Sequence, residues 1–356
     1  MNQKFWAKRI RHIEPYVPGE QPKDRRYIKL NTNENPYPPS PKVAEALHSA
    51  NISALRLYPD PDCRALREAL ARQKELQPEQ VFVGNGSDEI LAFSYLAFMD
   101  ENNPAIFPDI TYSFYPVYAA FFGNHTRIVP VREDFSIPLE ELCRNDGTVV
   151  LTNPNAPTGM AVGLADVEMI LKANPDHVVI LDEAYVDFGA QSAVGLIDRY
   201  ENLLVVQTCS KSRSLAGMRI GFAFGSENLI AALNAVKNSI NSYTLDRMAL
   251  AAAQASVEDQ DYMDDTCSRV SNTREMTAGK LKKLGFQVLP SKANFLFAAH
   301  ATAPGGELFR KLREKGVLVR YFDKPRISNF LRITIGTPEE MEALTEALED
   351  ILEAYK

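Results

Sequence analysis

Short apolar runs alternate with helix-length amphipathic segments between residues 81 and 224. The runs 178–181 and 203–206 are continuously apolar, which is typical of strands buried on both faces. The segments 88–99 and 165–173 carry apolar residues three and four positions apart, which is the period of a helix. This alternation predicts a doubly wound α/β domain with a mostly parallel, seven-stranded sheet. The predicted strands are 81–83, 105–107, 126–129, 148–151, 178–181, 203–206 and 220–224.

The two ends of the chain follow different patterns. The first 35 residues are rich in Pro, Asn and charged residues, which predicts an extended arm and not a packed element. After Gly285 the order strand, strand, helix, strand, strand, helix predicts a second, smaller α+β domain. The length of 356 residues also favours two domains. We predict an arm over 1–35, a large domain over 36–249 and a small domain over 250–356.

Composition and charge argue against several classes of partner. The chain has 39 Lys and Arg residues against 46 Asp and Glu residues, a net charge of −7, so no nucleic-acid partner is expected. No apolar stretch approaches the roughly 20 residues of a membrane span, and the first residues lack the apolar core of a signal peptide. The four cysteines are far apart and the five histidines lack ligand spacing, so we expect a cytoplasmic protein without a metal site.

Two predicted strands end in residues that suit one chemistry. Asp182 follows the run 178–181, and Lys211 follows the run 203–206 after four residues. In an open parallel sheet ligands bind beyond the carboxyl ends of the strands, so both side chains are expected in one crevice. A lysine facing a carboxylate suits a pyridine aldehyde, because the amine forms a Schiff base and the carboxylate keeps the ring nitrogen protonated. Taken singly, Asp182 suits a turn and Lys211 a solvated surface.

Two further segments favour a phosphate site. The loop 208–219 carries four hydroxyls and two cations besides the lysine, which is the composition of a phosphate clamp. In the segment 83–89 a predicted strand passes through Gly84 and Gly86 into a helix beginning near Ser87, and a helix N-terminus binds phosphate. An ordinary capped turn would have the same sequence. The segment lacks the third glycine of a dinucleotide-binding loop, which argues against an oxidoreductase.

Seven short motifs are spread over nearly the whole chain. They are YVPGEQP at 16–22, NENP at 33–36, RLYPD at 56–60, GNGSDE at 84–89, DEAY at 182–185, SK at 210–211 and LRIT at 331–334. Together they resemble the motifs of the fold-type I pyridoxal-phosphate aminotransferases, and within these the subgroup that acts on L-histidinol phosphate. The resemblance implies a large domain with a smaller α+β domain, pyridoxal 5'-phosphate as cofactor, and a homodimer with shared active sites.

The resemblance implies a role for each residue that would contact the cofactor. Lys211 would bind the aldehyde covalently and move the substrate proton, Asp182 would pair with the pyridinium nitrogen, and Tyr185 would hydrogen-bond the phenolic oxygen. Tyr112 would stack on the pyridine ring. Tyr58 would reach the phosphate of the neighbouring subunit, which is why a homodimer is implied. The phosphate within the same subunit would be held by Gly86, Ser87, Asp88, Thr208, Ser210 and Arg219.

The resemblance also implies how the substrates bind. Arg332 would hold the α-carboxylate of glutamate or 2-oxoglutarate in a bidentate fork. Arg320 and Arg332 together would meet the phosphate of histidinol phosphate, while Tyr16 would contact its imidazole side. Asn33 belongs to a turn of the arm that would close over the substrate.

The loop 153–159 departs from the family pattern. Where the family carries an asparagine that contacts the phenolic oxygen, this chain has Ala156, preceded by Asn155. Either Asn155 takes over that contact, or Tyr185 alone tunes the oxygen. Arg213, close to Lys211 in the sequence, would either bind phosphate or face solvent.

The implied reaction is transamination of L-histidinol phosphate with 2-oxoglutarate, giving imidazole acetol phosphate and glutamate in histidine biosynthesis. The same site would also suit an aromatic amino acid aminotransferase or a threonine-phosphate decarboxylase. A non-catalytic ligand-binding homologue is less consistent with the sequence, because ligand binding alone does not need the Schiff-base lysine.

Overall fold

A computed structural model describes residues 3–355. The strands in this range are β1 (Ile28–Lys29), β2 (Val81–Gly84), β3 (Ala105–Pro108), β4 (Thr126–Val129), β5 (Thr148–Thr152), β6 (Val179–Asp182), β7 (Leu203–Thr208), β8 (Gly221–Gly225), β9 (Phe286–Val288), β10 (Phe295–His300), β11 (Val317–Leu318), β12 (Arg320–Tyr321) and β13 (Phe330–Thr334). Seven of them form a large sheet in the order β2-β8-β7-β6-β5-β3-β4, in which β8 runs antiparallel to both neighbours. The predicted seven-stranded, mostly parallel sheet is confirmed.

Helices cover both faces of the large sheet and pack on the C-terminal strands. They are α1 (Pro41–His48), α2 (Arg64–Lys74), α3 (Gly86–Phe98), α4 (Phe114–Phe122), α5 (Leu139–Leu142), α6 (Leu164–Ala173), α7 (Glu227–Ile240), α8 (Arg247–Val257), α9 (Gln260–Lys283), α10 (Gly305–Glu314) and α11 (Pro338–Leu352). One face of the large sheet packs on α2, α6 and α8, and the other packs on α3, α4 and α7.

Successive residues of the central strands point to opposite faces of the large sheet. Leu151 of β5 and Leu181 of β6 belong to the apolar cluster with α2, α6 and α8. Val150 and Ile180 belong to the cluster on the other face. All four side chains are fully buried, which is why these runs are apolar at every position and do not alternate with polar residues.

Four more of these strands form a small antiparallel sheet in the order β12-β13-β10-β9, whose core packs with α9, α10 and α11. The run 317–319 was predicted as one strand, but the chain divides here: β11 pairs in parallel with β1, and β12 pairs with β13. The described part of the arm contains a short 3-10 helix at Lys8–His12 and is otherwise largely irregular. It is attached to the rest of the chain, because Ile28 and Lys29 pair with Val317 and Leu318.

Helix α8 packs against α1 and α2, and its residue Ala252 is fully buried in the core of the large sheet. Helix α9 instead contributes Val270 to the core of the small sheet. The predicted domain boundary at residue 249 therefore lies inside α8, and the exact division of the chain stays a prediction. None of the helices in the described part of the chain has the length and apolar character needed to cross a membrane.

Candidate active site

One cavity lies where β5, β6 and β7 end, bounded by the arm, the start of α3 and β13. This is the edge at which ligands of an open α/β sheet bind. The structure brings most of the predicted site residues to its wall. They are Tyr16, Asn33, Ser87, Asp88, Tyr112, Asp182, Tyr185, Thr208, Ser210, Lys211, Arg219, Arg320 and Arg332.

Asp182 is the last residue of β6, and its carboxylate is almost completely buried. Tyr115 Oη donates to its Oδ2 over 3.0 Å, and the backbone N–H of Ala184 donates to its Oδ1 over 3.2 Å. Burial raises the pKa of Asp182 to about 6, although both hydrogen bonds and the charge of Lys211 act in the opposite direction. A protonated ring nitrogen against this carboxylate would offset the cost of burying its charge.

Lys211 lies three residues after β7, and its amino group reaches back to the arm. Nζ donates to the backbone oxygen of Thr32 over 3.2 Å. Burial, together with the positive charge of Arg332, lowers the pKa of Lys211 to about 8. More of the amine is therefore unprotonated near neutral pH than in a free lysine, which favours attack on an aldehyde.

The start of α3 lies against β8 at one side of the cavity. Gly86 has a φ of 78°, in the left-handed region that favours glycine. A Cβ on Gly221 would lie 2.4 Å from the backbone nitrogen of Ser87, so glycine at this position allows β8 to approach the helix so closely. The first N–H groups of α3 have no partner within the helix and are positioned to bind an anion.

Hydroxyl and guanidinium groups surround this helix end. Thr208 Oγ1 donates to Ser210 Oγ over 3.0 Å, and Arg219 Nη1 donates to the same oxygen over 3.5 Å. Arg219 also forms an ion pair with Asp88 at 3.4 Å. The guanidinium lies over Gly86, where a Cβ would be 2.6 Å from Nη2. The residues predicted to hold a phosphate are thus neighbours, which is the arrangement that a phosphate clamp requires.

Two tyrosines form further parts of the cavity wall. Tyr112 Oη donates to Asp88 Oδ1 over 2.9 Å, and its ring is perpendicular to that of Tyr115 at 5.8 Å. Tyr185 Oη accepts a hydrogen bond from Nδ2 of Asn33 over 3.0 Å. Burial raises the pKa of Tyr112 and of Tyr185, so both hydroxyls remain protonated and able to donate at neutral pH.

Arg320 and Arg332 are directly opposite each other in the β12–β13 pair. Like charges in this position repel each other, and burial together with Arg320 lowers the pKa of Arg332. Arg332 Nη2 donates to the backbone oxygen of Asn31 over 3.1 Å, whereas Arg332 Nε is buried without a hydrogen-bond partner. An anion with several oxygens would satisfy this donor and balance both charges.

Tyr16 brings the arm into contact with the aromatic side of the cavity. Its ring stacks on Phe114 with centroids 4.2 Å apart, and it lies 6.3 Å from the ring of Tyr112. The arm is therefore packed over the cavity at Tyr16, and the contact of this residue with the substrate stays a prediction.

Asn155 lies outside this cavity, and we correct its predicted contact with the cofactor. Its Nδ2 donates to the backbone oxygen of Ile110 and to Oγ1 of Thr158, both over 3.0 Å. Its side chain lines a separate cavity beside α5 and α6. Asn155 therefore does not replace the donor that Ala156 lacks.

Tyr58 and Arg213 also lie away from the cavity in the single chain. Tyr58 is 76% exposed and stacks on Tyr243 at 4.5 Å. Arg213 is buried, and its guanidinium donates to the backbone oxygen of Ser256 over 2.5 Å, so it neither faces solvent nor approaches the phosphate clamp. Among residues 3–355, no group of three or more His, Cys, Asp or Glu side chains is arranged to hold a metal ion.

Two residues of the site were not predicted from the sequence. Tyr115 donates to Asp182 and lies three residues after Tyr112, in the first turn of α4, so its closeness to Tyr112 in the sequence was an available signal. Thr32 contributes its backbone oxygen to Lys211, and a backbone contact leaves no trace in residue type.

Residues 25–348 match the model of the family described as aminotransferase class I and II, and the chain belongs to this family. Two relatives of nearly equal length are each named histidinol-phosphate aminotransferase. The protein of Acinetobacter baumannii (strain AB307-0294) is 58% identical over 353 residues, and that of Clostridium beijerinckii is 54% identical over 349 residues, each covering 98% of both chains. The resemblance predicted from the motifs is confirmed.

A solved structure shows the same fold. The histidinol-phosphate aminotransferase of Sinorhizobium meliloti in complex with pyridoxal-5'-phosphate superposes with a TM-score of 0.89. The match covers 99% of each chain at 24% sequence identity. The predicted fold class is therefore confirmed.

Proposed function

We propose that this chain is a pyridoxal-phosphate-dependent aminotransferase that moves the amino group of L-histidinol phosphate to 2-oxoglutarate. The observation that carries this proposal is the shared cavity of Lys211, with its lowered pKa, and the buried Asp182. The paired Arg320 and Arg332 line the same cavity. The identity to two relatives with this name supports the choice of substrate.

The residues present fit the cofactor. When bound, pyridoxal phosphate supplies an electron-withdrawing ring that stabilises negative charge at the substrate carbon. Asp182 would hold a proton at the ring nitrogen, which accounts for a buried carboxylate whose pKa is raised. Tyr112 would cover the ring and Tyr185 would donate to the phenolic oxygen. The start of α3, with Thr208, Ser210 and Arg219, would bind the phosphate.

Lys211 has two tasks in this proposal. Its amine would hold a bound pyridoxal phosphate covalently through the aldehyde carbon. The same amine, when not bonded to the cofactor, would take the proton from the substrate carbon and return it on the cofactor side. A lysine whose pKa is lowered to about 8 is suited to both tasks, because proton transfer is most effective when the pKa lies near the working pH.

The arginine pair favours a phosphate-bearing substrate. A phosphate dianion offers more charge and more acceptor oxygens than a single carboxylate, so it balances two opposed guanidinium groups better. Glutamate would use the same two cations for its carboxylates in the second half of the reaction. The stacked rings of Tyr16 and Phe114 border the aromatic side, where an imidazole would lie.

The first test is a single half-reaction. The cofactor-loaded protein is mixed in turn with L-histidinol phosphate, phenylalanine and phosphothreonine, and the visible absorbance of the lysine-bound cofactor is followed. We expect histidinol phosphate to remove this absorbance fastest, and to do so at a lower concentration than the other two substrates. Faster reaction with phenylalanine would reject the proposed substrate, and release of carbon dioxide from phosphothreonine would reject transamination.

A matched variant tests the role of Lys211. Lys211→Ala should lose the cofactor adduct that borohydride reduction traps in the unaltered protein. Lys292→Ala, a substitution of a lysine that does not line the cavity, serves as the control and should retain the adduct. A lysine-linked adduct that persists in Lys211→Ala would contradict the assignment.

We further propose that the chain forms a homodimer. Exposed apolar side chains are concentrated in the segments 52–58 and 240–243, and each of them is between 42% and 76% exposed. These side chains are Ile52, Leu55, Leu57, Tyr58, Ile240 and Tyr243. A contiguous apolar surface of this kind is typical of a subunit interface. Leu55→Glu should produce monomers in sedimentation velocity, whereas Met276→Glu, at a more exposed apolar position outside this patch, should not. Monomeric unaltered protein at micromolar concentration would reject the dimer.

The predicted cytoplasmic location stays a prediction. The four cysteines are free, and Cys63, Cys209 and Cys267 are buried. Free thiols are consistent with a reducing compartment. Fractionation of cells that express the natural gene would test the location directly.

A further inference from the structure

Asn33 connects the arm, the small sheet and Tyr185 through a set of directed hydrogen bonds. It is 1% exposed and has a φ of 57°, a left-handed conformation that asparagine tolerates better than most residues. Its Nδ2 donates to Tyr185 Oη over 3.0 Å. Its Oδ1 accepts from Thr334 Oγ1 over 3.0 Å, and its backbone N–H donates to the same hydroxyl over 2.9 Å.

Thr334 fixes which way the Asn33 amide points. The Thr334 hydroxyl accepts the backbone N–H of Asn33, so its own hydrogen is directed to the side-chain oxygen of Asn33. The amide oxygen must therefore face Thr334, and the amide nitrogen must face Tyr185. A reversed amide would donate to the second lone pair of the Thr334 oxygen and leave the Thr334 hydrogen without the acceptor that it has in the structure, which is unfavourable in a buried site.

The orientation of the amide decides what the Tyr185 hydroxyl can do. The phenol group of Tyr185 has one hydrogen, and its oxygen accepts a hydrogen bond from the Asn33 amide through a lone pair. The phenol hydrogen is therefore free to point away from Asn33. The Tyr185 ring cannot move to compensate, because it is buried and packs perpendicular to Phe295 at 5.0 Å.

No other side chain of the loop 153–159 compensates for the missing family asparagine. Ala156 has no donor, and the amide of Asn155 is bonded to Ile110 and Thr158. The Asn153 side chain donates from Nδ2 to the backbone oxygen of Val162 and accepts the backbone N–H of Val162 at Oδ1. The Thr158 hydroxyl is fully buried and lines the separate cavity beside α5 and α6. No side-chain donor of this fully described loop therefore lines the active-site cavity, and the task of donating to the phenolic oxygen falls on Tyr185.

We propose that Asn33 and Thr334 are positioning residues that hold Tyr185 as a hydrogen-bond donor toward the cavity, and that Asn33 does not bind substrate. This inference rests on the proposed function. In it, Tyr185 donates to the phenolic oxygen of the cofactor and so favours the form in which the lysine-bound nitrogen is unprotonated. Weakening that donation raises the pH at which the cofactor's visible absorption band changes with protonation.

The test is a pH titration of the visible band in a double-mutant cycle, without any substrate. Asn33→Asp replaces the donor by an acceptor that takes the phenol hydrogen, and it should raise the midpoint by about one pH unit or more. Asn33→Asp in the Tyr185→Phe background measures the effect of the added charge alone and should shift the midpoint less. Equal shifts in the two backgrounds would overturn the proposal.

Two uncharged variants of Thr334 provide a second test, which does not require that Asn33→Asp folds. Thr334→Val removes the hydroxyl that orients the Asn33 amide and should raise the midpoint of the pH titration. Thr334→Ser keeps the hydroxyl and should have the midpoint of the unaltered protein. Identical midpoints in these two variants would contradict the role of Thr334. Because no substrate is present, a wrong substrate assignment leaves all these results unchanged.

A measurement on the cofactor-free protein is independent of cofactor binding. Urea unfolding of Asn33→Ala, Tyr185→Phe and the double variant should give non-additive midpoints, because both substitutions remove the same hydrogen bond. Additive midpoints would show that the two side chains do not interact and would overturn the proposal. Failure of the unaltered protein to bind pyridoxal phosphate would instead reject the proposed function.

Discussion

Asp182→Asn should make the cofactor-free protein more stable at neutral pH. Burial raises the pKa of Asp182 from 3.8 to about 6, so ionising this carboxyl in the folded chain is unfavourable. A difference of about 2 pH units corresponds to roughly 3 kcal/mol at 1.36 kcal/mol per unit. The asparagine variant carries no charge here and avoids this penalty, although it loses the partner of the ring nitrogen.

The sign of the pH dependence follows from the raised folded-state pKa. Below pH 3.8 the carboxyl is protonated in both states and contributes no penalty. As the pH rises from about 4 to about 6, the unfolded chain ionises first, and the folded chain loses stability relative to the variant. Above pH 6 the difference should be constant at roughly 3 kcal/mol.

Urea unfolding of both cofactor-free proteins between pH 4 and pH 7 measures this difference. Glu183→Gln is a matched control, because burial raises the pKa of Glu183 to about 7 but Glu183 does not line the cavity. Saturating pyridoxal phosphate should abolish the pH dependence of the stability difference for Asp182→Asn, because the protonated ring nitrogen supplies a cationic partner. The pH dependence for Glu183→Gln should remain. A stability difference for Asp182→Asn that does not change with pH would refute the reasoning.

Three further substitutions test other contacts. Tyr115→Phe removes a hydrogen bond that lowers the pKa of Asp182, so cofactor affinity measured by fluorescence titration should fall about tenfold, or about 1.4 kcal/mol; an unchanged affinity would contradict this role. Gly221→Ala places a Cβ 2.4 Å from the backbone at the start of α3 and should lower both the melting temperature and cofactor affinity, whereas Gly217→Ala, with no atom within 4 Å, should change neither. Arg213→Met should lower the free energy of unfolding by about 1–3 kcal/mol without changing the KM for histidinol phosphate; an altered KM would assign Arg213 to the substrate site.

The large sheet was predictable from the sequence because its central strands are buried on both faces. Such strands are uniformly apolar, and the runs at 149–151 and 179–181 therefore stand out against the helical segments. The pairing of Ile28 and Lys29 with β11 was not predictable. A two-residue strand has no periodicity, and its partner lies almost 290 residues away.

The site was predictable where a role depends on the side-chain type at a strand end. Asp182 ends β6 and Lys211 follows the neighbouring parallel strand β7, so the topology places both residues in one cavity. The position of Asn155 was not predictable in this way, because the local backbone of its loop decides where the amide points. The bonds of Asn33 depend on Thr334, three hundred residues away, and only the folded chain brings the two together.

The arm also acts as a short tether between the two sheets. Lys29 pairs with Leu318 of β11, two residues before the small-sheet strand β12 begins. The backbone oxygen of Thr32 accepts the hydrogen bond of Lys211, which follows strand β7 of the large sheet. Three residues of fully extended chain span about 10 Å. A larger separation of the two sheets must break the β1–β11 pairing or release the amino group of Lys211. Opening of the molecule and freedom of the reactive amine are therefore mechanically linked.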